Sequence, residues 1–208
     1  MKKRVYLAGP EVFLRDAEAV FRAKREICRR FGFEGVSPLE SHLDSAPIAL
    51  ENLGRRISRS NERCMRSCDL AIANLTPFRS PSVDPGTAYE LGFMRAMGKP
   101  VLGYTNVGGS LLDRTARCFA GGLRPRAPGQ GMEDPDGLLV EDFDLIDNLM
   151  IDGAILAGGF QVVVIQAPPD ERYSCLEGFE QCVRQAALAP FEPRPAPKGL
   201  KARSVPGK

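Results

Sequence analysis

Short apolar, β-branched runs recur at 5–8, 35–37, 70–75, 101–105 and 161–166, and most of the intervening stretches are long enough to hold a helix. That alternation constrains the fold more than any other feature of the chain. A strand that feeds a helix and then a second strand of the same sheet gives a parallel, right-handed unit. Helical patterns cover about 13–30, 51–66, 86–97, 111–119, 143–156 and 172–187. The expectation is an α/β protein, doubly wound in the flavodoxin or Rossmann manner, with a parallel five-stranded sheet and helices on both faces.

The chain has 208 residues, 43% of them hydrophobic, enough for one buried core and too few for two ordinary domains. From Ala189 the composition turns Pro-rich and basic and lacks the apolar content that offsets ordering entropy. We therefore expect one folded domain over 1–188 and a disordered tail over 189–208. The stretch 121–135, with its glycines and prolines, reads as a surface loop.

A net charge of +2, scattered along the chain, gives no electrostatic footprint for nucleic acid and favours a small ligand. The basic start, Met1-Lys2-Lys3-Arg4, is followed by an apolar run that stops at Gly9-Pro10, so it reads as a first strand and not an export signal. No stretch nears the roughly 18 apolar residues of a membrane span. A cytoplasmic location is the expectation. The six cysteines at 28, 64, 68, 118, 175 and 182 fall mostly in helical or apolar segments, and Cys64 and Cys68 are spaced i, i+4, so buried thiols are expected and no metal site. His42 reads as a solvated loop residue.

In open α/β sheets the ligand crevice lies beyond the carboxyl ends of the strands. The loop after the first strand, Ala8-Gly9-Pro10, is tight enough for backbone to approach a ligand, yet it lacks the glycine spacing of a dinucleotide site. No Walker-type Gly-Lys-Ser/Thr is present either. The loop at 74–92 carries more. Asp84-Pro85 is a good helix start, with the carboxylate as N-cap and proline at the first helical position. Glu90 follows about one and a half turns later among Tyr89, Leu91 and Met94, apolar company for a glutamate. Two such carboxylates suit a nucleophile and a proton handler. Read without further information, they also suit a helix that merely carries acids near its positive end.

Three segments together resemble the nucleoside 2-deoxyribosyltransferase family: Tyr6-Leu7-Ala8-Gly9-Pro10, then Cys68-Asp69-Leu70-Ala71-Ile72-Ala73-Asn74, then Asp84-Pro85-Gly86-Thr87-Ala88-Tyr89-Glu90-Leu91-Gly92. The resemblance runs over about 3–106 and returns at Asp147-Asn148-Leu149-Met150. It implies Glu90 as nucleophile, Asp84 as the carboxylate that meets the base and assists its protonation, and Tyr6 as the group that orients Glu90. It further implies substrate contacts at Gly9, Pro10, Phe13, Asn61 and Gly86, and at Asn148 reaching into a neighbouring subunit, hence a homo-oligomer with a shared site. The reaction implied is transfer of 2-deoxyribose between purine or pyrimidine bases through a covalent glutamyl intermediate, with retention at C1′. The missing 2′-hydroxyl eases oxocarbenium formation, and neither metal nor redox cofactor is required. Hydrolysis would accompany transfer.

Two other readings stand beside it. A hydrolase of 2′-deoxynucleoside 5′-monophosphates would need a phosphate site, for which Arg79, Ser80 and Ser82 are candidates. A nucleotide-binding module without catalysis would need no nucleophile at Glu90. Tyr173 and the apolar stripe Leu176, Phe179 and Val183 read as packing.

Overall fold

The computed structural model describes residues 2–39 and 50–189; His42 and the tail beyond 189 lie outside them. Strands β1 (Arg4–Ala8), β2 (Glu34–Val36), β3 (Leu70–Asn74), β4 (Val101–Thr105) and β8 (Val163–Val164) form one sheet in the order β2-β1-β3-β4-β8. All neighbours in it are parallel. The fold class is the one the alternating pattern implies.

Period-two alternation sorts the central strands between two cores. Val5, Leu7, Leu70, Ile72, Leu102 and Tyr104 face Phe21, Ile27, Phe179 and Val183 of helices α1 (Ala17–Arg30) and α6 (Glu177–Leu188). Tyr6, Ala8, Ala71, Ala73 and Val101 face the opposite layer, formed by α2 (Leu50–Ser67), α3 (Pro85–Ala96) and α5 (Leu149–Leu156), which contribute Met65, Leu91, Met94, Ile151 and Ile155. The second face is built from small residues. At Gly103 of β4 a Cβ would stand 2.7 Å from side-chain atoms of both Ile155 and Leu75, so glycine there lets α5 close onto the sheet. Helix α4 (Leu111–Cys118) starts at a reciprocal capping box between Ser110 and Asp113.

Several expectations need correction. The stretch read as a loop, 121–135, holds two short strands, β5 (Arg124–Pro125) and β6 (Met132–Glu133), which with β7 (Leu139–Val140) just beyond it form a small antiparallel sheet. Its turns use Gly129, Gly131 and Gly137 at φ near +80° and the Asp134 carboxylate, which accepts from the amides of Asp136 and Leu138. The helix expected over 143–156 begins only at Leu149, because Asp144 is left-handed and Asn148 is the N-cap. The start of the 13–30 helix is a separate 3-10 turn, Pro10–Phe13. Cys28, Cys68 and Cys182 are buried thiols as expected, whereas Cys118 is exposed.

Among the described residues no helix is long and apolar enough to cross a membrane. Nor, among those residues, does any group of three or more His, Cys, Asp or Glu stand ready for a metal ion.

Candidate active site

β1 points Tyr6 toward α3, and the Tyr6 hydroxyl donates to Glu90 Oε1 at 2.6 Å. Tyr6 is fully buried. Burial, then the Glu90 charge, raises its phenol far above the ordinary range, so it stays a donor. Glu90 is half-buried one and a half turns into α3. Desolvation pushes its carboxyl up to about 7; the Tyr6 bond opposes this, and the charges of Asp84 and Glu11 add to it. Glu90 Oε2 meets no hydrogen-bond donor among the described residues. A carboxylate with one oxygen held and the other open is arranged for attack along one direction.

Asp84 is the N-cap of α3: its Oδ2 accepts from the Thr87 amide at 2.9 Å and the Thr87 hydroxyl at 3.1 Å. Both capping bonds fall on Oδ2. Gly86 permits the geometry, because a Cβ there would lie 3.0 Å from Asp84 Oδ2. Asp147, fully buried, holds the chain just before Asp84 through Ser82 Oγ and the Val83 amide, and Arg114 ties Asp147 to the carbonyls of Pro81, Gly109 and Ile146.

The remaining sequence candidates occupy three places. Gly9, Pro10 and Phe13 lie directly beyond the carboxyl end of β1. Gly9 has φ +154°, a conformation that favours glycine. Phe13 is 56% exposed and stacks on Phe78 at 5.0 Å, with the Arg79 guanidinium 4.6 Å above the Phe78 ring. Asn61 is half-buried on α2, next to Glu62, which accepts from the Tyr89 hydroxyl at 2.8 Å. Asn148 is not bonded to Tyr6, Asp84 or Glu90; its Oδ1 caps the Met150 amide and its Nδ2 donates to Glu141. Of the three residues considered for a phosphate, Ser82 is spent on Asp147 and Ser80 on the Ser82 carbonyl, while Arg79 is exposed.

Asp147 and Arg114 are the site-holding residues that the sequence does not single out. Asp147 stands beside Asn148 in the Asp-Asn-Leu-Met segment, and only its burial marks it. Tyr6 yields a direct test. Removing its hydroxyl in Tyr6→Phe deletes the bond that lowers the Glu90 pKa, so the acid-side fall in turnover should move above pH 7. A pH profile of kcat with an unmoved acid limb would separate Tyr6 from Glu90.

Comparison with known proteins fits this geometry. A family model described as nucleoside 2-deoxyribosyltransferase matches residues 5–150, a span that includes Tyr6, Asp84, Glu90 and Asn148. An uncharacterized protein of Schizosaccharomyces pombe is 35% identical over 195 residues, covering 88% of each chain. A 2-desoxiribosyltransferase from Leishmania mexicana is similar in structure, with a TM-score of 0.52 and 30% identity over 84% of this chain and 96% of that one. A conserved protein from Enterococcus faecalis V583 has a TM-score of 0.50 at 18% identity, covering 89% of this chain and 99% of that one, a likeness of fold alone. With the family pattern matched from β1 to the start of α5, the chain belongs to the nucleoside 2-deoxyribosyltransferase family.

Proposed function

We propose that the protein moves 2-deoxyribose between nucleobases, with Glu90 as nucleophile. The observation that carries this reading is the 2.6 Å bond from the buried Tyr6 hydroxyl to Glu90 Oε1, which leaves Oε2 open beside Asp84. Oε2 attacks C1′ of a deoxynucleoside; the C1′–N bond breaks, its electron pair goes to the base, and Asp84 hands on the proton that the departing nitrogen takes up. The incoming base then attacks C1′ of the glutamyl ester. Glu90 leaves as carboxylate, the acceptor's N–H proton returns to Asp84, and two inversions give retention.

Gly9, Pro10, Phe13, Asn61 and Gly86 line the substrate in this reading. Phe13 suits a base face, being an exposed ring already stacked on Phe78. Asn148 serves a neighbouring copy. Support comes from the apolar surface around it: Leu149, Met150 and Leu156 of α5 are exposed, Met150 to 71%. Met150→Lys should shift the sedimentation of the protein toward smaller species and lower activity with it. An active wild-type monomer would sink the role given to Asn148.

Incubation with 2′-deoxyinosine and excess cytosine or adenine, followed by chromatography, tests the whole reading. A new deoxynucleoside is the expected product. Free hypoxanthine without exchange would make water the acceptor, and turnover of 5′-monophosphates alone would move the substrate class to nucleotides.

A further inference from the structure

Next to the Gly9 turn lies a buried charge pair for which the proposed reaction has no use. The side chains of Glu11 and Lys24 are both fully buried. Glu11 Oε1 accepts from the Lys24 ammonium, from Asn74 Nδ2 at 3.0 Å and from the Tyr104 hydroxyl at 3.0 Å. Lys24 is enclosed by the rings of Phe21, Tyr104 and Phe179 at 5.1 to 5.5 Å. Asn74 in turn accepts from the Thr76 amide, and Thr76 Oγ1 accepts from the Asn106 amide. One carboxylate therefore joins the 3-10 turn after β1 to α1 and to the ends of β3 and β4.

Its second oxygen, Oε2, is buried without a partner and fills the space where Gly9 lacks a side chain; a Cβ at Gly9 would stand 2.0 Å from it and 2.9 Å from Asn74 Cβ. Stability does not account for this arrangement. Buried ion pairs repay their desolvation poorly against apolar residues of similar shape, and an orphaned buried acceptor adds a further cost. What a fully connected polar group provides is a single geometry. Here the parts held at one spacing are the Gly9 turn, with Pro10 and Phe13, and the strand end from which the Asp84 loop departs.

We propose that Glu11 is a positioning residue of this site, pinning the Gly9–Phe13 turn against the end of β3 so that Glu90 meets the substrate in one geometry. This rests on the transfer reading given above. The groups that face Glu90 are Tyr6 from β1, Asp84 at the head of α3 and Glu11 from the 3-10 turn. Cys64 and Cys68 face the Tyr6 phenol, and Glu62 on α2 is bound by Tyr89. Around Glu11 itself stand Lys24, Asn74 and Tyr104, with Cys175 and Cys182 near Tyr104. The Glu11 charge favours protonated Glu90, so its removal should let Glu90 ionise at lower pH.

The test uses Glu11→Gln and the double variant Glu11→Gln/Lys24→Met, assayed with wild type and Glu90→Ala for exchange from 2′-deoxyinosine to free cytosine or adenine. The double variant removes the pair as a unit and leaves no bare buried ammonium. Expected is a kcat loss on the order of tenfold to hundredfold, as for a misplaced reacting group. KM for the deoxynucleoside should stay within about threefold, and the acid limb of the kcat profile of Glu11→Gln should lie below that of wild type. A folded variant with wild-type kcat, or a Glu11→Gln that loses kcat with an unmoved acid limb, overturns the proposal. Should Glu11→Gln fail to fold, the double variant, which removes both charges and so leaves the net charge near Glu90 unchanged, decides by the loss of kcat at near-constant KM. A wild type that turns over no deoxynucleoside would refute the transfer reading and this role with it; an active wild type, a dead Glu90→Ala and unaltered Glu11 variants would refute this role alone.

Discussion

Glu90→Ala will lose base exchange by on the order of 10⁴-fold or more while keeping its fold, because no other group among the described residues combines an open carboxylate oxygen with the Tyr6 hydroxyl bond. Glu90→Gln is the sharper variant. Its amide keeps the shape and can still accept from Tyr6, yet cannot form the ester, so the same loss is expected in stopped-flow or chromatographic assays. Full activity in either variant would remove Glu90 from the chemistry.

The two forms should also differ in stability, with a sign set by the raised carboxyl. The native state holds the Glu90 proton more tightly than the unfolded chain does, whose carboxyl titrates near 4.5. The stability associated with that proton is full below about 4.5 and is lost as pH rises through about 7. Glu90→Gln should therefore match wild type at pH 4 and exceed it at pH 8 by about 2 kcal/mol after allowance for solvent screening. Thermal unfolding at the two pH values reads the difference. A gain of stability in Glu90→Gln at pH 8 is the trade expected of a reactive carboxylate.

Asp84→Asn should lower exchange of natural nucleosides by about 10²- to 10⁴-fold, the range of a lost general acid. The loss should depend on the leaving group. A deoxyribosyl substrate whose leaving group departs without protonation, such as a nitrophenyl glycoside, should regain most of its rate in Asp84→Asn and none in Glu90→Ala. An equal loss on both substrates would mean that Asp84 acts only as the cap of α3. Asp84→Ala adds about 1 kcal/mol of lost capping to either outcome.

The α/β order, the helices on both faces and the start of α3 were legible in the sequence because they rest on strong local signals, β-branched runs and an Asp-Pro helix start; the Tyr6–Glu90 contact, 84 residues apart in sequence, was legible only through the family resemblance. The small sheet at 124–140 was not, since its two-residue strands carry no usable period and its turn glycines read equally as loop. The late start of α5 was hidden by the side chains that create it: Asn148 caps from within an apolar pattern that continues on either side. Lys24 carries a sequence trace. It sits at i+4 and i+7 from Val20 and Ala17, on the buried stripe of α1, where a lysine needs an anion. Its partner, at position 11, is set by the turn after β1 and not by any helical spacing.

The groove formed by Lys2, Lys3, Gly32 and Ala189 lies at the amino ends of the strands, on the far side of the sheet from Glu90. A surface or resin coupled through Lys2 or Lys3 would hold the molecule with the carboxyl ends of its strands facing the medium. Anchored this way, the Tyr6–Glu90 pair should stay accessible to small solutes.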